Sequence, residues 1–189
     1  MNETILNYKQ IIKKIDYCKK KNINDNDVKL TVVSKNFSAD VIEPLILEGQ
    51  KIFGENKVQE ANFKWESLRK KYNGIKLHLI GPLQTNKINL ALKTFDLIET
   101  MDREKLAKKI KKSLENFKNK KFEFFVQVNT GNEIQKAGIA LNQTKSFVEW
   151  LTNDLELNVT GLMCIPPVDD DPIVHFKALN KKKIECNLP

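Results

Sequence analysis

Lys35 stands where a short apolar run, Leu30-Thr31-Val32-Val33, gives way to the polar Ser34. An ammonium at the end of a parallel strand, facing a closed basin, would be partly desolvated, and desolvation disfavours the charged form. A neutral amine attacks aldehydes and forms imines with them. The competing reading is a lysine that lays its stem along the surface and keeps its charge in water, as most of the chain's lysines do. Other chemistry is thinly supplied. His78 and His175 are the only histidines, so a multi-histidine metal site is excluded and a Ser-His-Asp or Cys-His device would have to use one of these two. Cys164 and His175, eleven residues apart across a loop, read as two structural residues ahead of a nucleophile pair. Asp169-Asp170-Asp171 reads as a polar loop and helix cap, with divalent-cation binding as the alternative.

These residues need elements to hold them. Ile5, Tyr8, Ile12 and Ile15 recur at helical spacing and predict a leading helix; the polar stretch Asn22 to Asp27 predicts a turn before a first strand at 30–33. Ser38 is placed to cap a helix carrying Val41, Ile42 and Leu45, which Gly49 ends and in which Pro44 implies a bend or a later start. Strands follow at 51–54, 77–80, 97–100, 124–128 and 159–165. Between them come helices over 58–72 (apolar at Val58, Ala61, Trp65, Leu68 and Tyr72), 84–93, from a cap at Asp102 through Phe117, and 141–151. Asp171-Pro172 starts a last helix expected to bury Ile173, Phe176 and Leu179.

Six β-then-α units in strict alternation demand a parallel sheet with right-handed crossovers. Two architectures share that rhythm, an open doubly wound sheet and a (β/α)8 barrel. Ser34-Lys35-Asn36-Phe37 has no glycine, and no G-x-x-x-x-G-K occurs, so dinucleotide and P-loop binding are disfavoured. In both architectures ligands sit at the carboxyl ends of the strands, here Lys35, Glu55-Asn56, Gly81, Met101-Asp102, Asn129-Thr130 and Met163 to Pro166, with His78 early in its strand.

The 189 residues suit one domain, 1–189, and 41% hydrophobic content with 7 Gly and 6 Pro excludes collagenous and low-complexity classes. No apolar run approaches the roughly 18 residues of a membrane span, and the cytoplasm is the expected compartment. Cys18, Cys164 and Cys186 are odd in number and widely spaced, so they read as reduced thiols. The net charge of +8 would suit a polyanion, yet Arg69 and Arg103 are the only arginines, and a diffuse lysine bias argues against nucleic-acid binding.

Several strings occur in a telling order: Val33-Ser34-Lys35, Gly49-Gln50, the run from Phe53 to Ala61 (FGENKVQEA), the run from His78 to Lys87 (HLIGPLQTNK), Gln127-Val128-Asn129, the run from Glu133 to Gly138 and Gly161-Leu162-Met163. Together they closely resemble the pyridoxal-phosphate homeostasis protein family, whose fold is like the N-terminal barrel of alanine racemase. The resemblance implies a TIM-type (β/α)8 barrel, here incomplete with about six βα units. It implies that the chain binds pyridoxal 5'-phosphate (PLP) and takes part in intracellular PLP (vitamin B6) homeostasis without catalytic turnover. On the matching positions, Lys35 would hold PLP as an internal aldimine, Asn56 and His78 would line the pocket, and Met163 would pack near the cofactor ring. Without the family these three read as a polar turn, a satisfied core histidine and a core methionine. A monomer is expected. The alternatives are a PLP-dependent racemase-like enzyme, a lysine-imine aldolase without cofactor, or a non-functional remnant.

The family pattern continues beyond Leu188-Pro189 into a further strand, a Ser/Gly-rich phosphate loop at a helix N-terminus and an Arg-x-Gly segment. The expectation is therefore a barrel lacking its last strands and main phosphate anchor.

Overall fold

The computed structural model describes residues 3–21, 28–117 and 120–189; the turn expected at Asn22 to Asp27 lies outside them. Seven parallel strands form its sheet: β1 Val32–Val33, β2 Ile52–Glu55, β3 Lys76–Leu79, β4 Leu97–Met101, β5 Glu123–Asn129, β6 Ile139–Ala140 and β7 Val159–Met163. The helices are α1 Glu3–Lys21, α2 Ala39–Leu47, α3 Val58–Lys71, α4 Ile88–Thr94, α5 Glu104–Leu114, α6 Thr144–Glu149 and α7 Pro172–Glu185.

Strand order decides between the two architectures. The sheet runs β1-β2-β3-β4-β5 in chain order and continues from β5 to β7, with the two-residue β6 also on β5. A doubly wound sheet reverses its order at a switch point; this one never does, so its crossovers all turn the same way and lay the helices on one face. That is the winding of a barrel. Register shifts between β4 and β5 and between β5 and β7 add local twist. β1 and β7 do not pair, so the barrel is open.

Alternation along the strands sorts the two faces. Phe53, Leu77, Leu79, Ile98, Phe124, Val126 and Val128 belong to a continuous core with Trp65 and Leu68 of α3, Leu92 of α4 and Leu106 and Ile110 of α5. The rings of Phe53 and Trp65 meet at 4.8 Å between centroids. Burying each such side chain contributes on the order of 1.5–3 kcal/mol. The intervening residues, Gly54, His78, Glu99, Phe125 and Gln127, take the other face.

Several local expectations need correction. α2 starts directly after Ser38 and runs through Pro44 without the later start expected, and Ser38 makes no side-chain cap bond. Asp102 is not the cap of α5; Arg103 holds that position and Asp102 pairs with its guanidinium. The 84–93 segment begins as a 3-10 turn, Thr85–Lys87, and the 141–151 helix splits into a 3-10 turn, α6 and a π-helical turn Trp150–Asp154. In α7 only His175 is buried, whereas Ile173 and Phe176 are exposed, because the helix lies at the open edge of the sheet. β6 was not foreseen, two residues being too few to carry an alternating pattern.

The end of α2 follows a recognisable rule. Gly49 N–H donates to Ile46 O at 3.0 Å and Gln50 N–H to Leu45 O at 3.0 Å, the paired bonds of a Schellman motif, with Gly49 at φ +97°. A Cβ there would meet nothing within 4 Å, so the constraint is conformational. Gly49→Ala should therefore lower unfolding free energy by about 1–2 kcal/mol in urea titrations, with Gly49→Asn recovering part of the loss.

Candidate functional site

Lys35 occupies the turn that leaves the carboxyl end of β1. Among the described residues the basin expected to desolvate it is not formed: Lys35 is exposed, and Val33 below it is 45% exposed, because β1 is an edge strand that pairs with β2 alone. Among the described residues its amine makes no hydrogen bond or ion pair, which leaves it free for a ligand.

The backbone around it is tightly held from α3. Lys64 is buried, and its ammonium donates to Ser34 O at 2.7 Å and Phe37 O at 2.9 Å while lying 2.8 Å from Glu55 Oε1. With Glu60 Oε1 as a fourth, more distant neighbour at 3.5 Å, the three N–H bonds of the ammonium are all engaged. Glu55 ends β2 with no exposure at all, and its Oε1 also accepts from Ser34 Oγ at 2.7 Å and Trp65 Nε1 at 3.0 Å. Glu60 Oε1 accepts the Asn36 N–H at 2.8 Å, and Asn36 takes φ +66°. That amide, helped by Lys64 and Lys57 against the opposing effect of burial, holds the Glu60 carboxyl below its ordinary value. Sequence reading placed Glu55 at a strand end but gave no role to Glu60 or Lys64. The signal was available: Lys64 falls inside the Ala61, Trp65, Leu68 stripe, where a lysine needs a buried partner.

The parallel register sets the neighbours. Val33 pairs with Gly54 and Gly54 with His78, so Lys35 and Asn56 each lie two residues beyond a matched row on adjacent strands. Asn56 is fixed by a close approach: a Cβ on Gly81 would lie 2.6 Å from Asn56 Cα, which is why the turn after β3 carries glycine. His78 is third of the four β3 residues, not early in its strand as expected. Its Nδ1 lies 2.7 Å from Glu99 Oε1 on β4. An ionised carboxylate only accepts, so Nδ1 carries a proton and Nε2 is the nitrogen left for other partners. Met163 ends β7 opposite Gln127, at the far edge of the sheet from Lys35. The register thus sets Lys35, Asn56 and His78 along the neighbouring strands β1, β2 and β3, with Lys35 and Asn56 two residues past the row that holds His78, while no strand pairing joins Met163 to them.

Cys164 and His175 do not form a nucleophile pair. His175 Nδ1 lies 3.0 Å from Thr130 Oγ1 and Nε2 3.1 Å from Asp170 Oδ2. Burial pushes the Cys164 thiol up, against a hydrogen bond with Thr130, so Thr130 stands between the two. Asp171 caps α7 as read, accepting the Ile173 N–H at 3.0 Å. Among the described residues no group of three His, Cys, Asp or Glu side chains is placed to hold a metal ion.

Comparison with known proteins identifies the family and the fold. The family model for the alanine racemase N-terminal domain matches residues 7–186. The pyridoxal phosphate homeostasis protein of Buchnera aphidicola is 38% identical over 170 residues, 89% of this chain and 73% of that protein. This chain belongs to the pyridoxal phosphate homeostasis protein family. The family's protein from Helicobacter pylori is 33% identical over 188 residues, covering 95% of this chain and 83% of its own length. Among solved structures, PipY of Synechococcus elongatus without PLP superposes with a TM-score of 0.77 at 29% identity, over 85% of this chain and 75% of PipY. Alanine racemase of Clostridium difficile shares the fold, with a TM-score of 0.67 at 16% identity over 93% of this chain and 48% of the racemase.

Two measurements check the site. Lys64→Met should lower unfolding free energy by about 3–5 kcal/mol, because it leaves the Glu55 carboxylate buried without its cation. The double change Glu55→Gln with Lys64→Met should lose less than the sum of the singles in urea titrations. In iodoacetamide labelling at neutral pH, exposed Cys18 should react well before Cys164, whose raised pKa keeps its thiolate scarce until the pH rises.

Proposed function

We propose that this chain binds pyridoxal 5'-phosphate covalently through Lys35 and acts as a non-catalytic carrier or regulator in intracellular PLP homeostasis. The observation that carries the reading is the exposed amine of Lys35 at the carboxyl end of β1, unpaired among the described residues, on a turn whose backbone is pinned from beneath. PLP brings an aldehyde that condenses with a neutral primary amine, releasing water. The chain's own residues fit that demand. Lys35 supplies the amine, and Asn56 and His78 line the adjacent strand ends, supported by the matched rows of β1, β2 and β3. His78 is held by Glu99, and among the described residues its Nε2 has no hydrogen-bond partner. Met163 is proposed as an apolar contact for the ring, supported by its place at the carboxyl end of β7.

The names of the relatives support the homeostasis role, and PipY has been solved both without PLP and with PLP bound. Residues 1–189 are read as one barrel-type unit, supported by a single core extending from Ile5 to Val159. A cytoplasmic, monomeric protein that does not bind nucleic acid completes the reading, supported by free thiols and by basic residues that are nearly all lysine. Among the described residues no helix is long and apolar enough to cross a membrane.

Incubation with PLP, borohydride reduction and peptide mass mapping should place the adduct on Lys35, and Lys35→Ala should abolish the visible absorbance band. A label on another side chain overturns the attachment point. Racemisation of amino acids by the pure chain overturns the non-catalytic part.

A further inference from the structure

Three backbone groups flank Lys35 within two residues on either side, and each is bound by a side chain of α3. Ser34 O and Phe37 O accept from Lys64, and Asn36 N–H donates to Glu60. Lys35 itself contributes nothing to the turn, and Ser38 at its end makes no cap bond. The conformation of an exposed turn on an edge strand is thus dictated from one helix.

Core stability alone does not call for this arrangement. A buried ion pair is often matched or bettered by apolar residues of the same volume, so its value lies in directing what it binds. β1 is already tied to β2 through the Ser34 N–H to Gly54 O bond at 3.0 Å. The additional bonds converge on the residues around Lys35, and they hold Asn36 in a left-handed conformation that a non-glycine residue adopts reluctantly. We infer that Glu60 and Lys64 are positioning residues for Lys35: α3 sets the direction in which the turn presents the amine. The inference rests on Lys35 being the attachment point.

Lys64 is too deeply paired for a clean test, so Glu60 carries it. Its side chain is 32% exposed, and Glu60→Ala should leave the fold intact. Wild-type protein, Glu60→Ala and Glu60→Gln are treated with pyridoxal, which lacks the phosphate, then reduced with borohydride and mapped by mass spectrometry. Hydrogen exchange at the Asn36 amide and circular dichroism are followed in parallel. In Glu60→Ala the Asn36 amide should exchange faster and Lys35 labelling should fall about five- to tenfold relative to exposed lysines such as Lys93, with Glu60→Gln restoring most of it. Unchanged Lys35 selectivity in Glu60→Ala overturns the inference, as does an equal loss at all lysines or an unaltered Asn36 exchange rate. Failure of the attachment reading is separate and shows in the wild-type protein, as Lys35 labelled no faster than its fellow lysines.

Discussion

Glu55 and Lys64 lie 2.8 Å apart in the middle of an otherwise apolar layer, and much of the site is arranged around them. Removing two charges from water is expensive, and their attraction offsets that only when the remaining hydrogen-bonding capacity is also used. Here all of it except that of Glu55 Oε2 is used outward. Ser34, Trp65 and the backbone of the first strand's turn all join the pair, so strand β2, helix α3 and the chain leaving β1 become one unit. Glu55 Oε2 has no hydrogen-bond partner and is buried, which concentrates every contact of that carboxylate on Oε1 and makes its geometry sensitive to Lys64.

The winding of the sheet is the second constraint. Because strand order follows chain order, all the helices fall on one side and the opposite side is free to carry chemistry. There Gly54, His78 and Glu99 occupy neighbouring strands, and the imidazole is oriented by a carboxylate one strand away. The same winding leaves β1 and β7 as unpaired edges. Lys35 belongs to the first and Met163 to the second, so the exposure of that amine is a property of topology rather than of the lysine.

The family assignment fits this division of labour. The long strings that carry the resemblance to the pyridoxal phosphate homeostasis family fall on strand ends and on the helix starts that follow them. Within FGENKVQEA, Phe53 packs on Trp65, Gly54 sits beside His78, Glu55 and Glu60 hold the neighbouring turn and Ala61 is buried in the core. Within HLIGPLQTNK, His78 meets Glu99 and Gly81 admits the Asn56 backbone. These motif residues thus have physical tasks that can be stated without the name of the family.

The element order and the parallel sheet were legible in the sequence because both faces of each segment leave a periodic trace, and Gly49 and Asp171 marked helix ends because their local chemistry needs no distant partner. Lys35, Asn56 and His78 came forward as candidate site residues through motif strings, not through periodicity. Tertiary structure alone decided that Lys64 is buried against Glu55, that Thr130 separates Cys164 from His175, that α7 turns Ile173 and Phe176 outward, and that Lys35 is open to solvent. The reason is common to all four: burial and pairing depend on which strand lies next to which, and a one-dimensional pattern records the spacing of residues along the chain but not the partner that arrives across the sheet.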